Sequence, residues 1–196
     1  MIATRLAHRR LPMLATAMLL ALLGSVQAAH AQTAAVSATN AAPDTVLTEL
    51  ARQEEQLQFD SFNNDTALAL GMKVIELARA ANKKVAVNVT RDGLMLFYYG
   101  MDGITADHAN WIRRKSNLVN RTGHSSFYTH TEIKDSGGNY DAIPSLDMRD
   151  YAAQGGSFPL VLKGVGRIGT VTVTGLPGPD DHAMVVAALR AVLKVG

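Results

Sequence analysis

Residues 151–182 read YAAQGGSFPLVLKGVGRIGTVTVTGLPGPDDH. The apolar run at 158–162 and the alternating Val/Thr run at 167–174 are typical of strands, and the glycines between them are typical of a tight hairpin turn. Asp180 is a suitable first residue for a helix that continues to the end of the chain. This stretch therefore predicts an antiparallel strand pair followed by a C-terminal helix.

The preceding residues add helices and further strands. A first hairpin is predicted around Asp92-Gly93, because valines alternate with other residues before that turn. The string SSFYTHTEI at 125–133 predicts a third strand. Helices are predicted at 44–58, at 105–121 and at 65–81, the last with Leu68, Met72, Ile75 and Ala78 on its apolar side. Together these patterns predict an α+β domain with a five-stranded antiparallel sheet covered by helices.

The first 31 residues have the pattern of a secretory signal peptide. Three arginines precede an uncharged apolar run at 11–23, which is too short for a comfortable membrane span. Ala29-His30-Ala31 is an A-x-A-type cleavage site and predicts a mature chain beginning at Gln32, with Val26-Gln27-Ala28 as a second site. We expect a periplasmic or secreted protein, exported by the general secretory route in preference to the twin-arginine route, with no stable membrane span after cleavage.

Cleavage would leave a linker at 32–43 and a single domain at 44–196. Residues 1–31 hold three of the 19 Lys and Arg residues and none of the 17 Asp and Glu residues, so the mature chain would be close to neutral. A near-neutral chain predicts no broad basic face, and we expect no nucleic-acid partner. The absence of cysteine excludes disulfides, thiolate catalysis, cysteine-type zinc sites and thiolate-ligated haem.

Three strings carry a resemblance to a known family: NWIRRK at 110–115, YAAQGGSFP at 151–159 and TGLPGPDDH at 174–182. They resemble the GlcG/HbpS-like family of haem-binding or "haem-degrading" domains, over roughly residues 45–195, and look closest to its subfamily found in bacteria and fungi. The resemblance implies a profilin-like sheet and haem as the cofactor or ligand. Members of that subfamily are expected to lack a leader, so the leader is a departure from its pattern.

Lys115 is the main candidate for a ligand-binding residue. It shares one stripe of a predicted helix with Trp111, Ile112 and Leu118. A lysine on an apolar stripe must reach solvent, pair with a charge or face a cavity. One interpretation is an anion-facing lysine in a pocket or at a subunit interface, and the other is a lysine that reaches solvent at the domain edge.

Six further residues complete the predicted ligand site: Arg113, Arg114, Gly155, Gly156, Asp181 and His182. The two arginines suit a carboxylate or a haem propionate, or else a solvated helix face. The glycine pair offers backbone N–H groups to an anion, or is a plain tight turn. The Asp-His pair at the first turn of the last helix would orient a ligand, or cap the helix.

His124 and His130 are candidate axial ligands of haem, as is His182. On the predicted third strand His124 and His130 would lie about 20 Å apart, too far to chelate one metal ion, so no metal site is predicted. The glycines Gly164, Gly166 and Gly169 match a dinucleotide-binding string, but a strand follows them where that motif needs a helix. We identify no catalytic residue.

Three functions fit these features. The first is an exported, non-enzymatic domain that binds a small anionic ligand or haem. The second is an oligomeric interaction protein without a ligand. Its contacts between subunits of a homo-oligomer would be made by Trp111, Arg113, Lys115 and the Tyr98-Tyr99 pair. The third is a haem-degrading enzyme, which the missing nucleophile and cofactor loop disfavour.

Overall fold

The computed structural model describes residues 45–139 and 145–195. The predicted signal peptide, the linker and Asp44 lie outside the described residues. Within them, five helices surround a four-stranded antiparallel sheet, which confirms the predicted α+β class. No helix in the described ranges is both long and apolar enough to cross a membrane.

The helices and strands follow one another along the chain in this order: α1 (Val46–Gln56), α2 (Asn64–Ala80), β1 (Ala86–Arg91), β2 (Leu94–Gly100), α3 (Ala106–Thr122), α4 (Ser126–Asp135), β3 (Ser157–Leu162), β4 (Gly166–Thr174) and α5 (Gly178–Leu193). The strands lie in the order β2-β1-β4-β3, and each neighbouring pair is antiparallel. Both hairpins predicted from the sequence are present.

One face of the sheet is apolar and carries the main core. Val89 pairs with Val171, and Val171 pairs with Phe158, so the side chains of three strands meet on this face. Helices α2 and α5 pack against each other and cover it. The alternation of valine with polar residues in β1 and β4 places the polar ones on the opposite face.

The opposite face carries buried hydroxyl groups beneath α3. The Thr172 hydroxyl lies 2.8 Å from both the Ser116 and the Ser157 hydroxyls, which joins α3, β4 and β3. All three side chains are buried, so these hydrogen bonds satisfy groups that would otherwise be costly to remove from water. These three hydroxyl groups hold α3 against the sheet, and α3 carries the candidate site.

The predicted third strand at 125–133 is wrong, because Ser126–Asp135 forms helix α4. The Ser125 side chain caps this helix by accepting the N–H of Tyr128 at 3.2 Å. The Ser125 N–H donates to the Glu54 carboxylate at 2.7 Å, which anchors the start of α4 to the end of α1. The sheet consequently has four strands in the described residues, not five.

The apolar side predicted for the second helix is also partly wrong. Leu68 and Met72 are 52% and 49% exposed. The buried side is centred on Leu70, Gly71 and Val74. Gly71 faces the sheet because the Phe97 ring of β2 occupies the space that a side chain would need. The side of this helix that packs on the sheet is the side that carries Gly71, because only a small residue fits at the contact. A pattern based on hydrophobic residues does not register glycine and so does not indicate this side.

Candidate functional site

Lys115 lies in the middle of α3 and is only 3% exposed. Its ammonium group donates to the Asp181 carboxylate at 2.8 Å and approaches the Val173 carbonyl oxygen at 3.4 Å. Asp181 is completely buried in the first turn of α5, and its second oxygen accepts the Leu176 N–H at 3.0 Å. Of the environments expected for Lys115, the structure therefore shows pairing with a charge inside the protein.

Burial acts on both members of this pair. It lowers the pKa of Lys115, against the attraction of Asp181. It raises the pKa of Asp181 to about 6, although Lys115 and the Leu176 N–H both act to lower it. The free energy needed to remove two charges from water can exceed the free energy gained from their attraction. A buried ion pair is therefore weak evidence that the two residues serve stability alone.

The Gly155-Gly156 turn lies directly against this ion pair. Gly156 has φ +121, and a Cβ there would lie 2.9 Å from the Lys115 ammonium and 2.8 Å from the Asp181 Cβ. Gly155 packs on the backbone of Gly178, where α5 begins. The two glycines are therefore required by close packing, and they bring Lys115, Asp181 and the start of α5 together.

Lys115 also lines a pocket of about 260 Å³, the Lys115 pocket. Its other lining residues come from α3, from Gln154 and from the link between β4 and α5: Asp107, His108, Trp111, Gln154, Thr174, Gly175, Leu176 and Gly178. The Trp111 indole N–H donates to Asp107 at 3.1 Å, and the Arg114 guanidinium stacks 4.5 Å from the centre of the Trp111 ring. The pocket is thus lined by the Trp111 ring, by the Asp107 carboxylate and by Lys115, whose charge is paired with that of Asp181.

His182 lies next to this site but within the core. Its ring Nε2 lies 2.9 Å from the Gln53 side-chain oxygen, and the Gln53 amide nitrogen donates to Glu49 at 3.0 Å. Because Glu49 fixes the orientation of the Gln53 amide, His182 Nε2 must carry the proton. His182 Nδ1 is then an unprotonated, buried nitrogen with no hydrogen-bond partner among the described residues. Burial lowers the pKa of His182 to about 4.

The two predicted arginines do not line the Lys115 pocket. Arg113 is exposed and donates to the Asp150 carboxylate at 3.1 Å and to the Arg149 carbonyl at 2.6 Å. Arg114 stacks on Trp111 and donates to the Tyr151 carbonyl at 3.4 Å. Both arginines tie α3 to the segment that precedes the glycine turn, so the structure separates them from the Lys115 ammonium.

The two histidines expected on one strand occupy different environments. His124 precedes α4, pairs with Glu54 at 2.7 Å and stacks on Tyr128. His130 lies within α4, so the spacing argued from a continuous strand over 124–130 is wrong. In the described ranges no group of three or more potential metal-binding side chains is found.

His130 lines a second pocket of about 360 Å³, the His130 pocket. The other residues of its wall are Ile133, Lys134, Gly138, Asn139, Ala153 and Gln154. His130 Nδ1 lies 2.9 Å from the Ala153 carbonyl oxygen, which can only accept a hydrogen bond. In the neutral ring Nδ1 therefore holds the proton and Nε2 keeps a free lone pair. Gln154 lines both pockets.

Sequence reasoning missed three residues that define these surroundings: Asp107, Gln154 and Gln53. Asp107 precedes Trp111 by four residues on the same helix, and that spacing could have indicated their hydrogen bond. The pairing of Lys115 with Asp181 joins residues 66 positions apart, and no local pattern indicates it. Asp181 is expected from the sequence to orient a ligand or to cap the helix, and the structure shows it as the buried partner of the lysine.

The fold is a small α+β domain in which a buried ion pair borders a pocket. The chain belongs to the HbpS-like family, because residues 62–190 match the family described as "Haem degrading protein HbpS-like". A UPF0303 protein of Sinorhizobium medicae is 43% identical over 150 residues, which cover 76% of this chain and 92% of that protein. Placement in a bacterial and fungal subfamily stays a prediction.

Solved structures share the fold. The crystal structure of Ybr137w protein superimposes with a TM-score of 0.70 at 27% identity, covering 76% of this chain and 89% of that one. The crystal structure of a PduOC:heme complex gives a TM-score of 0.58 at 16% identity, covering 69% and 97% of the two chains. At that identity the second comparison supports the fold alone.

Proposed function

We propose that this chain is a small-ligand-binding domain, without catalytic turnover, and that the Lys115 pocket is its binding site. The observation that carries the proposal is the buried Lys115–Asp181 pair in the wall of a pocket. Perturbed ionisable groups in a concave site are typical of binding and catalytic sites. The glycine turn and the start of α5 hold that pair in position.

The size of the pocket limits what it can enclose. At about 260 Å³ it lies just below the usual range for sites of drug-sized ligands, about 300–1,000 Å³. It suits a small carboxylate, or the propionate edge of a larger planar ligand such as haem. Because Asp181 already compensates Lys115, an incoming carboxylate must compete with it. Binding of an anion should therefore strengthen as pH falls through about 6, where Asp181 takes up a proton.

Haem is the larger ligand that we favour, and the description of the family supports it. The fitting donor is His130, whose Nε2 is free because its Nδ1–H is held by a backbone carbonyl, an arrangement common behind metal-bound histidines. His124 is held by Glu54, and His182 is buried with its Nε2 on Gln53. We therefore propose His130 as the axial ligand, with the Lys115 pocket open to a propionate.

A haem titration tests this assignment through the Soret band of the absorption spectrum. We expect a saturable shift for the wild-type protein and for the control His124→Ala. We expect His130→Ala to change the spectrum of the bound form, and Trp111→Ala and Lys115→Met to weaken affinity at least about tenfold, the loss of one good interaction. Circular dichroism of each variant shows whether it is folded.

Affinity unchanged in folded Lys115→Met and Trp111→Ala would place the ligand outside the Lys115 pocket. A wild-type shift equal to that of an unrelated protein would remove haem as the ligand. Sustained haem breakdown over many equivalents, unaffected by catalase, would contradict binding without turnover and favour a haem-degrading enzyme. Slow peroxide-coupled bleaching would not, since free haem shows it as well.

A further inference from the structure

The two edge strands of the sheet differ in how far other segments of the chain cover them. Beside the outer strand β3, the Phe59 N–H donates to the Val161 carbonyl at 2.8 Å, and the Lys163 N–H donates to the Phe59 carbonyl at 2.9 Å. The segment after α1 thus covers part of that edge. Strand β2 forms the other edge, and among residues 45–139 and 145–195 only β1 pairs with it.

Strand β2 lacks the charged residues and the proline that usually protect an open edge, although it carries a β-bulge, where its register with β1 shifts between Met95 and Phe97. Its sequence, LMLFYYG, contains no charged residue and no proline. Leu94 and Met95 are 61% and 59% exposed, and Tyr98 and Tyr99 are 42% and 40% exposed. Soluble proteins normally place lysine, proline or a covering segment on such a strand, since an uncharged apolar edge pairs with other strands.

The register identifies the backbone groups that are free to pair. The Met101 N–H donates to the Val85 carbonyl at 3.1 Å, and Tyr99 lies opposite Val87 in the same ladder. In an antiparallel ladder alternate residues point their N–H and C=O groups at the partner strand. Tyr98 and Gly100 therefore direct theirs away from β1, toward the open edge.

The charge and the geometry of this edge favour a second copy of the chain as its occupant. An antiparallel pair of β2 strands around a twofold axis satisfies each free N–H with the equivalent C=O, and it brings no like charges together because β2 carries none. A charged partner segment would find no opposite charge on the strand. The edge at β3 is partly covered, so pairing through β2 closes at two copies instead of growing into a filament.

We propose that β2 is a dimer interface, in which Tyr98 lies opposite Tyr98 of a second copy and the two sheets join into one. The exposed Leu68 and Met72 belong to α2, whose Gly71 packs on Phe97 of β2. The proposal concerns a surface separate from the Lys115 pocket and does not depend on the ligand.

Mass in solution is the first test. Tyr98→Lys places two positive charges opposite each other at the twofold axis and should convert the dimer into a monomer, which halves the mass measured by light scattering. Val165→Lys is the matched control, because Val165 is 71% exposed at the tip of the other hairpin. A monomeric wild-type protein, or a folded Tyr98→Lys variant with unchanged mass, would overturn the proposal.

Cross-linking tests the register independently. The chain contains no cysteine, so Tyr98→Cys introduces a single thiol. Opposite residues in a hydrogen-bonded antiparallel pair have Cα atoms about 5.5 Å apart, within the range that a disulfide spans. Mild oxidation should convert Tyr98→Cys to a covalent dimer across a dilution series, while Val165→Cys stays monomeric on a non-reducing gel. Equal cross-linking of both variants, or of neither, would reject this interface.

Discussion

At the scale of single residues, Gly156 is packed closely against the ion pair of the candidate site. Any side chain would meet the Val173 carbonyl, the Asp181 Cβ at 2.8 Å and the Lys115 ammonium at 2.9 Å, and φ is +121. Gly156→Ala should lower the free energy of unfolding by about 2–4 kcal/mol, from backbone strain and overpacking combined. Urea denaturation at neutral pH measures this loss.

Gly164 provides the control for that measurement. It also has a positive φ, +75, but a Cβ there would have no neighbour within 4 Å. Gly164→Ala should therefore show only the strain, about 1 kcal/mol. Losses of equal size at the two positions would mean that the crowding around Lys115 and Asp181 has no energetic consequence.

His182 predicts a dependence of stability on pH. Its pKa is lowered to about 4 in the folded chain, from 6.5 in the unfolded chain, so the unfolded chain binds more protons between these values. The contribution of neutral His182 to the free energy of unfolding is fully present above pH 6.5 and is lost as pH falls toward 4. A difference of this size corresponds to roughly 3 kcal/mol.

The measurement compares wild-type protein with His182→Gln in urea denaturation at several pH values. The difference between the two free energies of unfolding should shrink from pH 7 to pH 4. Taking the difference removes the opposite trend of Asp181, whose raised pKa favours the folded state as pH falls through about 6. A difference that is independent of pH would show that His182 titrates alike in both states.

At the scale of helices and strands, one sequence prediction is confirmed and another is wrong. The second helix was predicted from its apolar pattern, and α2 is present at Asn64–Ala80. The string at 125–133 predicts a strand, because aromatic and β-branched side chains favour one. The Ser125 cap and the contact with Glu54 decide for a helix, and Glu54 lies 71 positions away. Contacts so distant in sequence override local propensity.

The cap of α2 itself gives a prediction. The Asn63 side chain accepts the Thr66 N–H at 2.8 Å, and the Thr66 hydroxyl accepts the Asn63 N–H at 3.4 Å. Asn63→Ala removes this reciprocal capping and should lower the free energy of unfolding by about 1 kcal/mol. Urea denaturation of Asn64→Ala, one residue inside the same helix, is the matched control and should show a smaller loss.

At the scale of the whole molecule, one face of the sheet carries the main apolar core and the other carries α3 with the candidate site. Alternation in β1 and β4 predicted strands of a sheet that helices cover, and the structure places α2 and α5 on its apolar face. The strand order β2-β1-β4-β3 was not predictable from the sequence. Either strand of one hairpin could pair with either strand of the other, and the choice of β1 with β4 depends on how the helices pack. That pairing places Val173 beside Lys115 and so determines where the site forms.

Export is the last property of the whole chain, and we propose it from the leader at 1–31. Cleavage before Gln32 removes three arginines and no acidic residue, so the formal net charge changes from +2 to slightly negative. Mass spectrometry of protein expressed in a bacterium should find a mature chain beginning at Gln32, with an acidic shift in isoelectric focusing.

Ala31→Trp should block that site, because signal cleavage requires a small residue there, and should retain the leader or move cleavage to the position after Ala28. An intact amino terminus in the wild-type protein would contradict export by this leader. It would leave the basic leader on the domain, and with it a net positive charge. A chain exported and cleaved at Gln32 would instead confine any ligand of the Lys115 pocket to those found outside the cytoplasm.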